Sequence, residues 1–151
     1  MLHRSCVRSF ALIALLTGAW PPGQLRADGG SPALPFRGSA AGMVTGVVPP
    51  NGLIIESTGT ATHLGRFTRE ERLFLNPDGS FSGTIVFTAA NGAELWADFE
   101  GAFTSPTTAE GTCTFTGGTG RIQDATGSAT FEASTPDGVH VEVTFEGTIR
   151  Y

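Results

Sequence analysis

The sequence contains no lysine, only two cysteines, and few basic residues of any kind. Without lysine, no catalytic Schiff base can form on a lysine amine. The chain has nine Arg and fourteen Asp and Glu, so it is acidic. Nucleic acid phosphates and anionic membrane surfaces repel an acidic chain, which argues against nucleic acid as a partner.

The chain also lacks an apolar run long enough to cross a bilayer, which takes about 20 residues. The longest run, 10–19, instead fits the first 27 residues as an export signal. Arg4 and Arg8 precede it, and the small residue Ala27 offers a cleavage position. We therefore predict a secreted protein, extracellular or periplasmic, with no membrane span once residues 1–27 are removed.

The cysteine count excludes an internal disulfide in the exported chain. Signal removal takes Cys6 away and leaves Cys113 alone. Cys113 lies between Thr112 and Thr114 and shares a predicted strand face with Phe115. An isolated cysteine of this kind is usually a small core residue, so we expect a buried, unreactive thiol.

No 3.6-residue period is sustained after Phe36. Apolar and polar residues alternate instead, between turn segments rich in Gly, Pro, Asn and Asp, which indicates an all-β chain. Eight strands are predicted, at 36–48, 52–64, 66–75, 81–89, 94–104, 111–117, 128–135 and 139–151. The predicted organisation is a signal peptide at 1–27, a flexible Gly/Pro-rich arm at 28–35, and a single domain at 36–151.

A short Phe-x-Gly motif begins at Phe81, Phe99, Phe115 and Phe145. The Phe and Gly of each motif share a strand face, so a large ring lies beside an empty position. This arrangement fills a curved interior and lets the strand bend. Together with one dry and one wet face per strand, it predicts an eight-stranded antiparallel closed β-barrel, lipocalin-like in shape.

The stretch "FTGGTGRIQDATGSATF", 115–131, begins like a dinucleotide-binding loop. A dinucleotide site requires a third glycine and a following helix, but Gln123 stands at the third position and no helical period follows. The Gly-Lys-Ser/Thr of a phosphate-binding loop is missing as well. We therefore expect no cofactor. Four glycines are interpreted as residues of a structural turn: Gly117, Gly118, Gly120 and Gly127.

This stretch resembles the turn of the allene oxide cyclase and dirigent barrel superfamily, Gly-Gly-Ser/Thr-Gly-x-Phe/Ile followed by a small residue and Gly. The matching residues are Thr116, Gly117, Gly118, Thr119, Gly120, Ile122, Ala125 and Gly127. Segments 62–68 and 147–151 look most like those of uncharacterised secreted bacterial members. The resemblance implies an eight-stranded barrel with a mostly apolar cavity for small hydrophobic molecules. Catalytic residues of the plant cyclases and dirigent proteins cannot be aligned with this sequence, so none is assigned from the resemblance.

Three residues are candidates for acid–base catalysis: His63, Arg69 and Glu71. His63 shares a predicted strand face with Ile55, and Arg69 and Glu71 share a face with Phe67 on the next strand. Facing a dry cavity, these groups would have the shifted pKa values that acid–base sites use. The alternative is structural: Arg69 and Glu71 pair near the rim, and His63 hydrogen-bonds the turn.

No metal site is expected. Glu132, Glu142 and Glu146 could gather a calcium ion, but their alternation with Thr fits a solvated outer wall better. His63 and His140 lack the spacing of metal ligands.

The function that these patterns favour is binding of a small hydrophobic molecule inside the barrel. The expected ligand contacts are Phe81, Phe87, Phe99, Phe103, Cys113, Phe115, Phe131 and Phe145. One alternative is a cyclase or isomerase that orients an apolar substrate, helped by Glu71 and His63. Another is a solid-core envelope or matrix module. A small outer-membrane barrel is less well matched, because the exported chain has only Trp96 and Tyr151 to form aromatic girdles.

Overall fold

The computed structural model of the protein describes residues 30–151, and the predicted signal peptide lies outside them. Eight strands and one short 3₁₀ helix form the chain. The strands are β1 (Leu34–Val48), β2 (Gly52–Ala61), β3 (Gly65–Leu75), β4 (Ser80–Ala89), β5 (Glu94–Ser105), β6 (Thr108–Gly118), β7 (Thr126–Ser134) and β8 (His140–Arg150), with the 3₁₀ helix at Gly120–Ile122. β1 begins two residues inside the predicted arm, and β6 begins three residues before its predicted start.

Every strand pairs antiparallel with its neighbour in the chain, and β8 pairs with β1 to close the sheet. The predicted all-β, eight-stranded closed antiparallel barrel is therefore confirmed. Alternate turns lie at opposite ends. The end that we call the mouth carries the turns 49–51, 76–79, 106–107 and 135–139. The other, the terminal end, carries the turns 62–64, 90–93 and 119–125 together with the start of β1 and the end of β8.

Asp side chains shape two turns at the mouth. In the turn after β3, Asp78 accepts a hydrogen bond from the backbone N–H of Ser80 at 2.9 Å. In the turn after β7, Asp137 accepts two, from the N–H groups of Val139 at 2.9 Å and His140 at 2.7 Å. A Gly with positive φ follows each Asp, as such turns favour. These local bonds fix where the paired strands reverse.

Inward Phe rings repeatedly lie directly opposite a Gly of the neighbouring strand. Two motifs on β4 and β5 interlock in this way, because Phe81 faces Gly101 while Gly83 faces Phe99. The same arrangement joins Phe131 to Gly111, Phe115 to Gly127, Phe36 to Gly147, Phe145 to Gly38 and Phe67 to Gly59. The rings occupy the space that the glycines leave, which permits close packing in a strongly curved sheet.

No helix in residues 30–151 has the length and apolar character needed to span a membrane.

Candidate ligand pocket

The barrel interior is divided into a filled half and a pocket. In the filled half, towards the terminal end, Phe36 packs edge-on against Phe115 at a centroid distance of 4.8 Å and against Phe87 at 6.4 Å. Phe87 also packs against Phe67 at 5.2 Å and Phe145 at 5.7 Å. These interlocked rings fill this half of the interior with aromatic side chains.

The pocket opens at the mouth and has a volume of about 190 Å³. Its wall is mostly apolar and draws on all eight strands. The apolar side chains of the wall are Val44, Leu53, Ile55, Leu73, Leu75, Phe81, Phe103, Pro106, Ala109, Phe131, Ala133, Val141 and Val143. An apolar concavity of this kind with a few polar groups is the usual form of a small-molecule site.

Three of the eight expected ligand contacts line this pocket: Phe81, Phe103 and Phe131. Phe103 is partly exposed at the mouth and packs on Phe81 at 5.5 Å. The other five do not line it, and for these the expectation needs correction. They are buried in the packed core: Phe87, Phe99, Cys113, Phe115 and Phe145. The reason is that one inward face serves both halves, and only the half near the mouth is left open.

Arg69 and Glu71 lie side by side in the pocket wall on β3, and both are buried. Arg69 Nη2 donates a hydrogen bond to Glu71 Oε2, and the two form an ion pair. The Arg69 guanidinium carbon also lies 5.3 Å from the centroid of the Phe145 ring, so the cation faces an aromatic surface. Both side chains therefore face the interior, as the acid–base hypothesis expected, and they pair with each other there rather than at the rim, where the structural alternative placed the pair.

Burial sets the electrostatics of this wall. Desolvation lowers the pKa of Arg69 to about 10, and the nearby Cys113 acts in the opposite direction. Burial also raises the pKa of the Cys113 thiol, against smaller opposing effects that include Arg69. At neutral pH the guanidinium is therefore charged and the thiol is neutral. Cys113 is fully buried, as expected from its strand face.

Polar atoms without partners cluster around the same pocket. Within residues 30–151, four buried side-chain N or O atoms have no hydrogen-bond partner: Arg69 Nε, Arg69 Nη1, Ser57 Oγ and Thr135 Oγ1. Arg69 and Thr135 line the pocket, and Ser57 lies directly opposite Arg69 on β2. Sequence reasoning missed Ser57 and Thr135. The signal for Ser57 was a hydroxyl between Ile55 and Gly59 on an otherwise dry strand face.

His63 is not part of this site, so its predicted place beside Arg69 and Glu71 was wrong. β2 ends at Ala61, and His63 lies in the following turn at the terminal end with a φ of 69°. Its Nε2 donates to the Pro35 carbonyl at 2.9 Å, which leaves Nδ1 to accept from the Tyr151 hydroxyl at 3.1 Å. The predicted strand, 52–64, extends past the observed end of β2 at Ala61, and this error placed the His63 ring on the inward face.

The glycine-rich segment turns the chain between β6 and β7, as predicted. Gly120, with a φ of 61°, opens the 3₁₀ helix, and Ile122 within it is buried. Gly127 allows close packing on β8, because a Cβ there would lie 2.2 Å from the Thr148 carbonyl oxygen. The segment between β6 and β7 is therefore a structural turn at the terminal end, opposite the mouth.

The carboxylates considered for a metal are on the outer wall. Glu132, Glu142 and Glu146 are exposed, and Glu146 pairs with Arg37 at 2.9 Å. In the described part of the chain, no three His, Cys, Asp or Glu side chains come together as metal ligands would. A wider concavity of about 1030 Å³ includes Glu132 and Glu142, but it is more open than the pocket and has a more polar lining.

Comparison with known proteins finds similarity in structure alone. Neither a protein-family model nor a curated protein matches the sequence. The structure of the pterocarpan synthase dirigent protein GePTS1 is similar, with a TM-score of 0.53 and 15% sequence identity over 91% of this chain and 99% of that chain. That of the pterocarpan synthase dirigent protein PsPTS1 has a TM-score of 0.48 and 16% identity over 80% and 94%.

The fold is therefore that of a dirigent-like β-barrel. The likeness to GePTS1 extends over nearly the whole of both chains, and at this identity it defines the fold. The expected kinship with allene oxide cyclases and with secreted bacterial barrels stays a prediction.

Proposed function

We propose that the protein is an exported barrel that binds one small, largely apolar molecule in the pocket at its mouth. The observation that carries this proposal is the mostly apolar wall around about 190 Å³, to which all eight strands contribute. Cavities of roughly 150 Å³ are large enough to hold benzene. A ligand with one ring and short substituents suits this volume.

The test compares two variants that add the same atoms in different places. Ala133→Leu fills the pocket wall, whereas Ala41→Leu adds its side chain to the exposed outer face. Protein purified from its native host is extracted with organic solvent and the extract is examined by mass spectrometry. We expect a stoichiometric apolar compound in the unmodified protein and in Ala41→Leu, and its loss in Ala133→Leu. An empty extract without uptake of added apolar probes would instead favour the solid-core module.

A second candidate function is that of a cyclase or isomerase acting in the same pocket. It is supported by the buried Arg69–Glu71 pair, because a charged donor in an apolar wall can polarise a substrate oxygen. One protein of this fold is named a synthase, so a barrel of this shape can serve an enzyme. Changing Arg69 should then abolish turnover of a bound substrate, whereas a pure binder shows no turnover to lose.

Export is proposed from residues 1–27, whose charges and apolar run fit a signal peptide. N-terminal sequencing of the protein recovered from the medium or the periplasm tests it. A mature chain beginning near Asp28 is the expected result. An intact Met1 on the recovered protein would contradict it.

A further inference from the structure

The strongest clue to the ligand's chemistry is the set of buried donors around the pocket. Arg69 uses Nη2 on Glu71, while its Nε and Nη1 have no partner. Its side chain is only 5% exposed and lines the pocket. A buried donor without an acceptor costs free energy comparable to a lost hydrogen bond. A ligand oxygen placed beside Arg69 would remove that cost.

The charges in the pocket wall favour a neutral ligand oxygen over a negatively charged one. Arg69 and Glu71 are the only ionisable residues in the described lining, and their charges balance. A carboxylate ligand would bring a second negative charge close to Glu71 in apolar surroundings, which is unfavourable. A neutral carbonyl oxygen accepts from the guanidinium and leaves the pair balanced.

We propose that the ligand is a neutral molecule of about one ring in size, with a carbonyl oxygen bound by Arg69 and an apolar body directed towards the mouth. Ketones, aldehydes, lactones and quinones belong to this class. The inference deepens the proposed function and rests on it. Ser57 and Thr135 supply two further hydroxyls without partners, one opposite Arg69 and one in the pocket lining. The Thr135 hydroxyl, which is in the lining, can bond a second ligand oxygen.

Three probes of nearly equal shape separate the possibilities: acetophenone, the isosteric hydrocarbon α-methylstyrene, and benzoate. Dissociation constants are measured on the full chain by calorimetry or ligand-observed NMR. We expect acetophenone to bind at least about fivefold more tightly than α-methylstyrene, and more tightly than benzoate.

The double variant Arg69→Met/Glu71→Gln removes both charges without leaving one buried alone. In it, the preference for acetophenone over α-methylstyrene should fall to near unity. The matched control is Glu70→Gln/Arg72→Met, which removes an exposed pair from the same strand. This control should keep the preference unchanged.

The outcomes are distinguishable. If α-methylstyrene binds as tightly as acetophenone in the unmodified protein, the carbonyl inference is wrong and the apolar pocket stands. If benzoate binds most tightly, the ligand is an anion and the neutrality argument fails. If none of the three binds, both the proposed function and this inference are overturned.

Discussion

Phe81 on β4 lies directly opposite Gly101 on β5, and two atoms of its ring would be 2.8 Å from a Cβ at Gly101. The carbonyl oxygen of Glu110 would be 2.5 Å from the same Cβ. A methyl group at this position must therefore displace both an aromatic ring of the pocket wall and the backbone of β6.

Gly101→Ala should destabilise the protein by about 1–3 kcal/mol, as overpacking of a close-packed interior does. The free energy of unfolding is measured by urea denaturation. Gly30→Ala is the control, because nothing lies within 4 Å of its Cβ position, and it should change stability by less than about 0.5 kcal/mol. Equal midpoints for the two variants would show that the ring and strand move aside freely.

The buried ion pair should be strongly asymmetric in its response to mutation. Arg69→Met leaves Glu71 as an uncompensated buried charge and should cost about 3–5 kcal/mol, whereas Arg69→Met/Glu71→Gln should recover much of that loss. The exposed pair Arg72–Glu70 on the same strand should contribute no more than about 1 kcal/mol. A double-mutant cycle in urea measures both couplings. Additive effects at Arg69 and Glu71 would contradict the pairing.

Because residue 63 has a positive φ, the stability of the protein should depend on whether the side chain there is β-branched or absent. His63→Val and His63→Gly both lose the bonds to Pro35 and Tyr151, so the difference between them isolates the positive φ. We expect the valine variant to be less stable by about 1–2 kcal/mol in thermal unfolding. Both should bind apolar probes normally, since the turn lies at the other end of the barrel. A valine variant as stable as the glycine variant would refute the left-handed conformation.

The turn after β7 should respond to acid. Bonds from the His140 side chain and from the N–H groups of His140 and Val139 hold the pKa of Asp137 well below its usual range. A carboxylate whose pKa is lower in the folded than in the unfolded state stabilises the fold at any pH above the unfolded-state pKa, which is about 3.9 for Asp. This stabilisation is lost progressively as the pH falls below that value.

Melting temperatures measured from pH 6 down to pH 2.5 check this. Asp137→Asn should flatten the loss of stability below about pH 4. Glu142→Gln, which removes a carboxylate from the same hairpin, should follow the unmodified protein. Superimposable profiles for all three proteins would rule out the contribution of Asp137.

The thiol of Cys113 should be accessible only after unfolding, because it is fully buried and its pKa is raised. In full-length Cys6→Ser protein, we expect a disulfide reagent at pH 8 to label Cys113 more than about a thousandfold more slowly than it labels free cysteine. Addition of urea should restore rapid labelling. Fast labelling of the native protein would mean that β6 opens locally.

Most of the fold could be predicted from the sequence, because alternation and turn residues are local signals. The Phe-x-Gly motifs allowed the curvature of the sheet, and hence its closure into a barrel, to be predicted as well. Which half of the interior contains the pocket could not be predicted from the sequence. Phe115 and Phe131 both point inward on their strands, yet only Phe131 lines the pocket. That distinction depends on Phe36, near the start of β1, whose ring packs against Phe87 and Phe115 in the filled half through contacts made only on closure.

The candidate site was predicted in part. Arg69 and Glu71 were placed together because they are two residues apart on one strand, a relation that survives small errors in strand ends. His63 was misplaced because its position depended on where β2 stops. Ser57 and Thr135 were missed, since a hydroxyl without a partner can be recognised only after every neighbouring group is in place.

Leu34 pairs with Ile149, so the chain enters and leaves the barrel on adjacent strands at the end away from the mouth. A resin, a fluorescent label or a fused domain coupled to Tyr151 would therefore be attached at the end opposite the mouth. Such a display leaves the path into the pocket unobstructed.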